Sequence, residues 1–390
     1  MTTRTGRRWL LSAVAILWLT GAGLALADPG VHAERDFAGL PGSKAVAVVP
    51  GTRITPTYIH SQANDILAAL TALRTCEASR TADHPPCELR QLNEERITSG
   101  AEIRARVPAG EHPLHLWRLE QDGNTVYLAG SVHILKPSLY PLPAPFDAAF
   151  QAADTLVVEV NVGALDPVEL QAKTLSYASL PDGQRIAAVL PEPLLERLTS
   201  SLDRYGVPLA QVAALKPAFL MNQIVLLRLT SLGYRGEYGV EQHYLRQLGD
   251  RQVLELETLD AQLALLFDQS LPLQQQLLED TLDQEPDIEP LVAGMISAWF
   301  SGDDALFMEM FEAQSGDSEL ARQFTEQLLD QRNVGMADSI EGYLNTDHGG
   351  ERTFFVLVGA AHLIGDEGIV SLLEKRGLSS ERLTSRSLIH

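Results

Sequence analysis

Residues 127–133 (YLAGSVH) and residues 354–362 (FFVLVGAAH) carry the same pattern far apart in the chain. In each, a short apolar run leads into Gly-x-x-His, with His133 and His362 as the last residues. A buried strand fixes where its last residue points, and a glycine allows a sharp bend and the close approach of a ligand to the backbone. Two such turns can face one centre. The pair therefore predicts a functional site at the carboxyl ends of strands in an α/β sheet.

A purely structural role for the two histidines is the alternative, because an imidazole at a strand end often serves only as a hydrogen-bond partner of the loop backbone. The loops that follow favour a site. The first is rich in proline, and the second, residues 363–368 (LIGDEG), leads into an amphipathic helix that Gly377 ends. Strand, loop and helix in this order form the arrangement in which α/β proteins bind ligands.

Two further predicted strands carry a carboxylate at their ends. Residues 155–160 (TLVVEV) are typical of a buried strand and contain Glu159, and residues 252–256 (QVLEL) form a strand followed by Glu257. Glu159 alternates with valines and can simply face outward. The other interpretation places it at the end of a central strand, beside His133.

The remaining periodic segments complete the prediction of an α/β fold, with a central mixed sheet flanked by helices, a helical N-terminal extension and a helical middle insertion. Residues 114–119 and 125–129 are predicted to form a hairpin around a turn at residues 122–124 (DGN). Helices are predicted over residues 57–73, 87–104, 144–153, 191–205, 217–232, 291–300, 303–314, 318–340 and 369–377.

The first 27 residues are typical of a cleaved secretory signal peptide. They combine Arg4, Arg7 and Arg8 with an apolar run over residues 9–26 and a small residue, Ala27, at the end. The adjacent Arg7 and Arg8 are also compatible with a twin-arginine export signal, and a retained anchor is the alternative to cleavage. We expect an exported protein, which is periplasmic if its source is Gram-negative.

Residues 28–110 are predicted to form the helical N-terminal extension, and residues 111–390 the α/β domain. The two cysteines of the chain, Cys76 and Cys87, both lie in the extension. An oxidising compartment would pair them, and neither belongs to a Cys-x-x-Cys redox motif. We therefore predict a structural Cys76–Cys87 disulfide.

The chain is strongly acidic, with a formal net charge of −21. The predicted signal peptide contains three arginines and no acidic residue, so its removal would make the net charge −24. This charge argues against nucleic acid and anionic membranes as partners. No stretch after the signal is long and apolar enough to cross a bilayer, so we expect no stable membrane anchor.

Six motifs in the same order resemble the TraB/GumN family, which includes the Tiki proteins, over about residues 114–383. They are the GSVH turn that contains Gly130 and Ser131, the strand acid Glu159, residues 239–245 (GVEQHYL), residues 256–262 (LETLDAQ), Arg332-Asn333, and residues 359–363 (GAAHL). The family pattern usually has aspartate where Glu241 stands here.

This resemblance implies a fold similar to that of erythromycin esterases and of the haem-binding protein ChaN. It also implies that His133 and His362, with an acid such as Glu159, form the functional constellation. In Tiki relatives that site supports metal-dependent proteolysis. The residues expected to line the same site are Gly130, Ser131, Glu241, Arg332, Asn333, Gly359 and Asp366.

Two neutral imidazoles and one carboxylate are a sufficient ligand set for a divalent ion that lowers the pKa of a bound water. His133, His362 and Glu159 are the predicted ligands of a manganese, cobalt or zinc ion, and Glu257 is the predicted general base. The sequence contains neither an H-E-x-x-H motif nor a Gly-x-Ser-x-Gly motif.

Three functions remain open at this point. The first is a metal-dependent hydrolase that acts on a peptide, or on another substrate with an acyl bond. The second is a binding protein that holds haem, a metal or a peptide in the same cleft without turnover. The third is a metal-free esterase with a histidine as base.

The signal peptide generates the first testable prediction. Because Ala25 and Ala27 are the small residues that signal peptidase requires before the cut, the mature protein should begin at Asp28. Amino-terminal sequencing of the protein from a periplasmic extract checks this. An intact amino terminus recovered from membrane fractions would show that the segment stays as an anchor.

Overall fold

The computed structural model describes residues 37, 43–62, 65–81, 83–85, 87–96, 112–312 and 319–385. The predicted signal peptide lies outside the described residues. The strands are β1 Ser43–Val48, β2 Thr57–Gln62, β3 Glu88–Leu92, β4 Glu95–Arg96, β5 His112–Gln121, β6 Asn124–Ser131, β7 Thr155–Val158, β8 Gln252–Glu255, β9 Thr353–Gly359 and β10 Ser380–Ser385.

The central sheet has six strands in the order β10-β5-β6-β9-β7-β8. Strands β10, β5 and β6 pair antiparallel, whereas β6, β9, β7 and β8 pair parallel, which confirms the predicted mixed sheet. The predicted hairpin is also present as β5 and β6. Its turn has positive φ at Asp122 and Gly123, the conformation that an Asp-Gly pair favours between two twisted strands.

The described helices are α1 Asp65–Ser79, α2 Ala144–Ala152, α3 Pro167–Ala178, α4 Ile186–Val189, α5 Glu192–Arg204, α6 Leu209–Val212, α7 Pro217–Ser231, α8 Val240–Leu245, α9 Leu259–Phe267, α10 Leu271–Gln284, α11 Ile288–Ser301, α12 Asp304–Glu312, α13 Glu319–Leu328, α14 Asp330–Asn345 and α15 Ile369–Lys375. The middle of the chain is helical as predicted. The helix predicted over residues 318–340 is instead two helices, which meet at Leu329.

The central strands are apolar on both faces because helices cover both faces of the sheet. Phe355 of β9 packs against Phe150 of α2 and Tyr244 of α8, with ring centroids 5.7 Å and 5.1 Å away. Its neighbour Phe354 points to the opposite face and stacks on Tyr343 of α14 at 4.9 Å. This double cover fixes β9 in the middle of the core, so that the residues at its carboxyl end are held in place.

The described part of the N-terminal extension is not helical throughout. It contains a four-stranded sheet in the order β2-β1-β3-β4, with α1 packed on it. The helices predicted over residues 57–73 and 87–104 are therefore wrong in their first parts, which are the strands β2 and β3. The physical reason is pairing with β1, which lies between the two and gives their residues backbone partners that local periodicity does not reveal.

Helix α1 joins the extension to the α/β domain. Ala68, Ala69 and Ala72 pack into the small core over β1, whereas Leu67 is buried in the core of the large domain. The helix also contacts the 3-10 turn Pro137–Leu139, which follows His133. The extension thus supports the loop after the first Gly-x-x-His turn. Among the described residues, none of the helices combines the length and the apolar character needed to cross a membrane.

Cys76 lies near the end of α1 and Cys87 directly precedes β3. Their Cα atoms are 6.1 Å apart and their sulfur atoms lie at bonding distance. The pair is thus placed to form the predicted disulfide.

A bond between Cys76 and Cys87 should protect both thiols from alkylation in non-reduced, denatured protein. Since closing a loop of this size restricts the unfolded chain, Cys76→Ser/Cys87→Ser should lower the free energy of unfolding by about 2–3 kcal/mol. Urea denaturation measures this difference, with Thr75→Ser at an exposed position of the same helix as control. Two alkylated thiols in the non-reduced sample would contradict the prediction.

Candidate active site

The residues predicted at the ends of four strands meet at one edge of the central sheet. His133 follows β6, His362 follows β9, Glu159 follows β7 and Glu257 follows β8, and these four strands run parallel. His133, His362 and Glu159 are buried, with exposed fractions of 7%, 2% and 9%. Glu159 therefore does not face solvent, which was the alternative from the sequence.

The centre of this group lies over Gly359. A Cβ atom built on Gly359 would lie 3.5 Å from Nε2 of His133, 3.5 Å from Cδ2 of His362 and 3.6 Å from Oε1 of Glu159. The two imidazole atoms are both 3.5 Å from this point, so they are at most 7 Å apart. The missing side chain thus leaves a cradle that the three predicted ligands surround.

The other motif glycine lets the two turns touch. A Cβ on Gly130 would lie 3.1 Å from both Cα and Cβ of Ala360, which belongs to the second turn, and 3.0 Å from Cβ of His115. Such distances are tighter than ordinary van der Waals contact. Glycine at position 130 therefore allows the close approach of the two Gly-x-x-His turns.

Glu241 orients His133. Oε1 of Glu241 lies 2.6 Å from Nδ1 of His133 and also accepts a hydrogen bond from Oγ of Ser131. Because a carboxylate only accepts, Nδ1 carries the proton and Nε2 faces the cradle. Burial disfavours the charged imidazolium, but the charge and hydrogen bond of Glu241 outweigh it and raise the pKa of His133 above its ordinary value. Glutamate in place of the family's usual aspartate is long enough for this contact.

Glu241 is brought to His133 by a close backbone contact at the start of α8. The amide of Val240 donates to the carbonyl oxygen of Val132, with 3.1 Å between the two atoms. A Cβ on Gly239 would lie only 2.3 Å from the carbonyl oxygen of His133, so no side chain fits there. The two loops can approach because position 239 has no Cβ.

Asn333 orients His362 in a different way. Nδ2 of Asn333 donates to the carbonyl oxygen of Glu367 at 2.8 Å, so its Oδ1, 2.7 Å from Nδ1 of His362, is the acceptor. Nδ1 of His362 therefore carries the proton. Nε2 of His362 accepts from Nη1 of Arg332 at 3.2 Å.

Arg332 is the cation that holds the carboxylates together. Its Nη2 donates to Oε2 of Glu159 and to Oε2 of Glu257, both at 2.6 Å, and its Nε donates to both oxygens of Glu257 at 2.9 and 3.0 Å. Gln262 bridges the same two carboxylates through Nε2, at 3.1 Å from Glu159 and 3.0 Å from Glu257. The guanidinium is thus bound to three of the residues predicted to carry the chemistry.

Burial and the Arg332 charge separate the protonation states in the site. Burial opposes ionisation of Glu159, but the charges of Arg332 and the histidines outweigh it and lower the pKa of Glu159 to about 2. For His362, burial and the Arg332 charge both act against the imidazolium and lower its pKa to about 3. Near neutral pH the site therefore contains an ionised Glu159 and a neutral His362.

The donor types at the cradle fit a divalent ion. Nε2 of His133 and the Cδ2 edge of His362 face the cradle, and the Nδ1 atoms of both imidazoles are fixed, by Glu241 and Asn333, as those of metal-bound histidines commonly are. In the present arrangement, however, no three His, Cys, Asp or Glu side chains among the described residues are spaced to hold an ion. Arg332 also occupies Glu159 and Nε2 of His362 in this arrangement.

The structure places most of the predicted site residues in this network. Asp366 is the exception, since it is exposed and its main-chain oxygen accepts from Nζ of Lys375. Gln262 was not among the predicted site residues, although it lies in a motif of the resemblance. Its position on the first turns of a helix that follows a strand was the available signal, but it does not distinguish a bridging amide from an exposed one.

The electrostatics of His362 generate a prediction about stability. His362 takes up a proton near pH 6.5 in the unfolded chain and near pH 3 in the folded protein, so the unfolded state binds more protons between these values. The free energy of unfolding should therefore fall as the pH is lowered through this range. His362→Asn removes this difference of up to one bound proton, so it should reduce the change in the free energy of unfolding with pH by up to about 1.4 kcal/mol per pH unit.

Urea denaturation at several pH values measures the slope. His348→Asn is the matched control, because His348 lies before the amino end of β9, away from the cradle. An unchanged slope in His362→Asn would show that this imidazole is not held neutral.

The family model described as TraB/PrgY/gumN family matches residues 115–382, which include every residue of the network. The uncharacterized protein YbaP of Escherichia coli (strain K12) is 26% identical over 264 residues, which cover 63% of this chain and 87% of that protein. The Metalloprotease TIKI1 of Danio rerio is 24% identical over 335 residues, or 74% of this chain and 66% of that protein.

No solved structure gives a significant match to the chain. The family match spans the strands that carry both Gly-x-x-His turns, the two acidic strand ends and the helix that bears Arg332. On this match, which covers more than half of the chain, the protein belongs to the TraB/PrgY/gumN family.

Proposed function

We propose that this chain is an exported, metal-dependent hydrolase of peptide or other acyl bonds. One observation carries the proposal: His133, His362 and Glu159 surround a cradle over Gly359, and a separate side chain orients each imidazole. Side chains that only hold loops together would not have to surround one common point. A buried set of two imidazoles and carboxylates is a common basis for hydrolytic chemistry.

The relatives support the class of reaction. One of the similar proteins is named a metalloprotease, and the two chains align over most of the α/β domain. At 24% identity this similarity supports the chemistry more than the substrate. A peptide or small-molecule substrate remains our proposal, and the acidity of the chain disfavours nucleic acid.

The side chains have distinct proposed roles. His133 and His362 would hold a manganese, cobalt or zinc ion through Nε2, together with Glu159, and the bound ion would supply a water of lowered pKa. Glu241 keeps the proton of His133 on Nδ1, and Asn333 does the same for His362. In its neutral form each imidazole therefore has its lone pair on Nε2, and an ion bound to His133 would displace any proton held there.

Glu257 is the proposed general base. It lies beside Glu159 and shares Gln262 with it, so it borders the cradle. In the present arrangement both of its oxygens accept hydrogen bonds from Arg332. Accepting a proton from water would therefore require the guanidinium to release one of these two oxygens.

Turnover of a peptide library and of small ester substrates tests the proposal, with manganese, cobalt or zinc added singly and with a chelator. His133→Ala and His362→Ala should each lower kcat/KM by at least about 100-fold, since each removes a proposed ligand nitrogen. His348→Ala, outside the site, should retain full activity. Loss of activity in the chelator is expected for a metal-dependent enzyme, and full activity there would favour the metal-free esterase.

Gly359→Ala is a sharper variant because it removes no functional group. Its Cβ would occupy the cradle at ordinary contact distances from both imidazoles and Glu159, so the fold should survive and turnover should be lost. Gly335→Ala on α14, where no atom lies within 4 Å, is the matched control. A wild-type protein that binds peptides or haem tightly without turnover would instead be the binding protein of the second hypothesis.

A further inference from the structure

We propose that Arg332 is a built-in cation that competes with a divalent metal ion for the ligands at the cradle. This inference rests on the metal centre of the proposed function, and it concerns the guanidinium that a bound ion would have to displace. It assigns to Arg332 control of metal affinity, in addition to any contact with substrate.

The guanidinium contacts predicted metal ligands and the predicted base at once. Arg332 uses Nη1 for Nε2 of His362, Nη2 for Oε2 of Glu159, and Nε and Nη2 for Glu257. Two of these three partners are predicted metal ligands, and the third is the predicted base. The positively charged group that a metal would supply is therefore already present, on a side chain of the protein.

Competition follows from the chemistry of the imidazole. A neutral imidazole has one nitrogen lone pair, and in His362 this lone pair is on Nε2 because Nδ1 donates to Asn333. The lone pair cannot serve Nη1 of Arg332 and a metal ion together. Metal binding through His362 therefore requires that Arg332 release it.

Release does not require Arg332 to leave the site. Nε of Arg332 is bonded to Glu257 alone among the side chains, and Nη1 also donates to the carbonyl oxygen of Leu328, one turn earlier, at 3.0 Å. The guanidinium can thus give up His362 and Glu159 and stay attached to the helix backbone and to one oxygen of Glu257, which leaves the other oxygen of Glu257 open to a proton. A small shift of one side chain would then exchange one cation for another.

The charge balance favours this exchange over simultaneous occupancy. Glu159 is buried and ionised, and a buried carboxylate needs a compensating charge. Arg332 provides it in the present arrangement. If Arg332 is replaced by an uncharged side chain, Glu159 and Glu257 lose their counter-ion and a divalent ion becomes the alternative.

Binding of manganese(II) alone, without substrate, tests the inference. Titration followed by the electron paramagnetic resonance signal of the free ion gives the affinity and the number of sites. Arg332→Met should bind one ion with a Kd at least about tenfold lower than the wild type, because the competitor is gone. His362→Ala in the Arg332→Met background should abolish this gain, which locates the ion at the cradle.

Arg376→Met is the matched control. Arg376 also pairs with two carboxylates of α14, Asp338 at 2.8 Å and Glu341 at 2.9 Å, but outside the cradle. Its replacement should leave the manganese affinity unchanged. If Arg376→Met increased the manganese affinity as much as Arg332→Met, the change in net charge alone would explain both results, and the inference would be overturned.

Arg332→Met also overturns the inference if it folds and binds manganese no more tightly than the wild type. If it does not fold alone, its refolding with manganese becomes the measurement, since an ion that binds only the folded state stabilises it. Absence of refolding with the ion would then count against the inference. Because no substrate is used, this outcome is separate from turnover: a chain that hydrolyses peptides but fails here retains the proposed function.

Discussion

The parallel pairing of β6 with β9 is the constraint on which the site depends. Ser131 lies opposite Gly359 in the register, so both Gly-x-x-His turns leave the sheet at nearly the same level. On the other side of β9, β7 is also parallel, and Glu159 at its end accepts a hydrogen bond from the amide of Gly359 at 2.7 Å. A shift of one residue in either pairing would reverse which side chains face the core and would separate the turns.

The two motif histidines are equivalent in sequence but not in chemistry. A carboxylate, Glu241, faces the outer nitrogen of His133, and a neutral amide, Asn333, faces that of His362. Arg332 adds positive charge next to His362. The outer nitrogen of His133 thus faces a charged group and that of His362 a neutral one, whereas the Arg332–Glu159 ion pair lies beside Nε2 of His362. A bound group would therefore meet different proton donors and acceptors at the two imidazoles.

Sequence patterns predicted five of the six strands of the central sheet and the meeting of His133, His362 and Glu159, because each of these residues follows a short apolar run with a clear end. The edge strand β10 was not predicted, since most of its residues are polar. The patterns also failed for β2 and β3, since those strands owe their structure to pairing with β1 rather than to their own periodicity. The contacts of Arg332 also could not be predicted from the sequence. A helix position shows which face a residue occupies, but not that its guanidinium spans three side chains from different strands.

Gly239 has no functional group, yet the location of His133 depends on it. Because its Cα lies against the carbonyl of His133, any larger residue would push the first turn away from the second. In a random mutagenesis screen, substitutions at Gly239 should therefore group with those of the active-site histidines. The set of positions essential to the site would then include Gly239, which the sequence places only at the start of a helix. The loop that contains Gly239 and the first Gly-x-x-His turn therefore have to be engineered together.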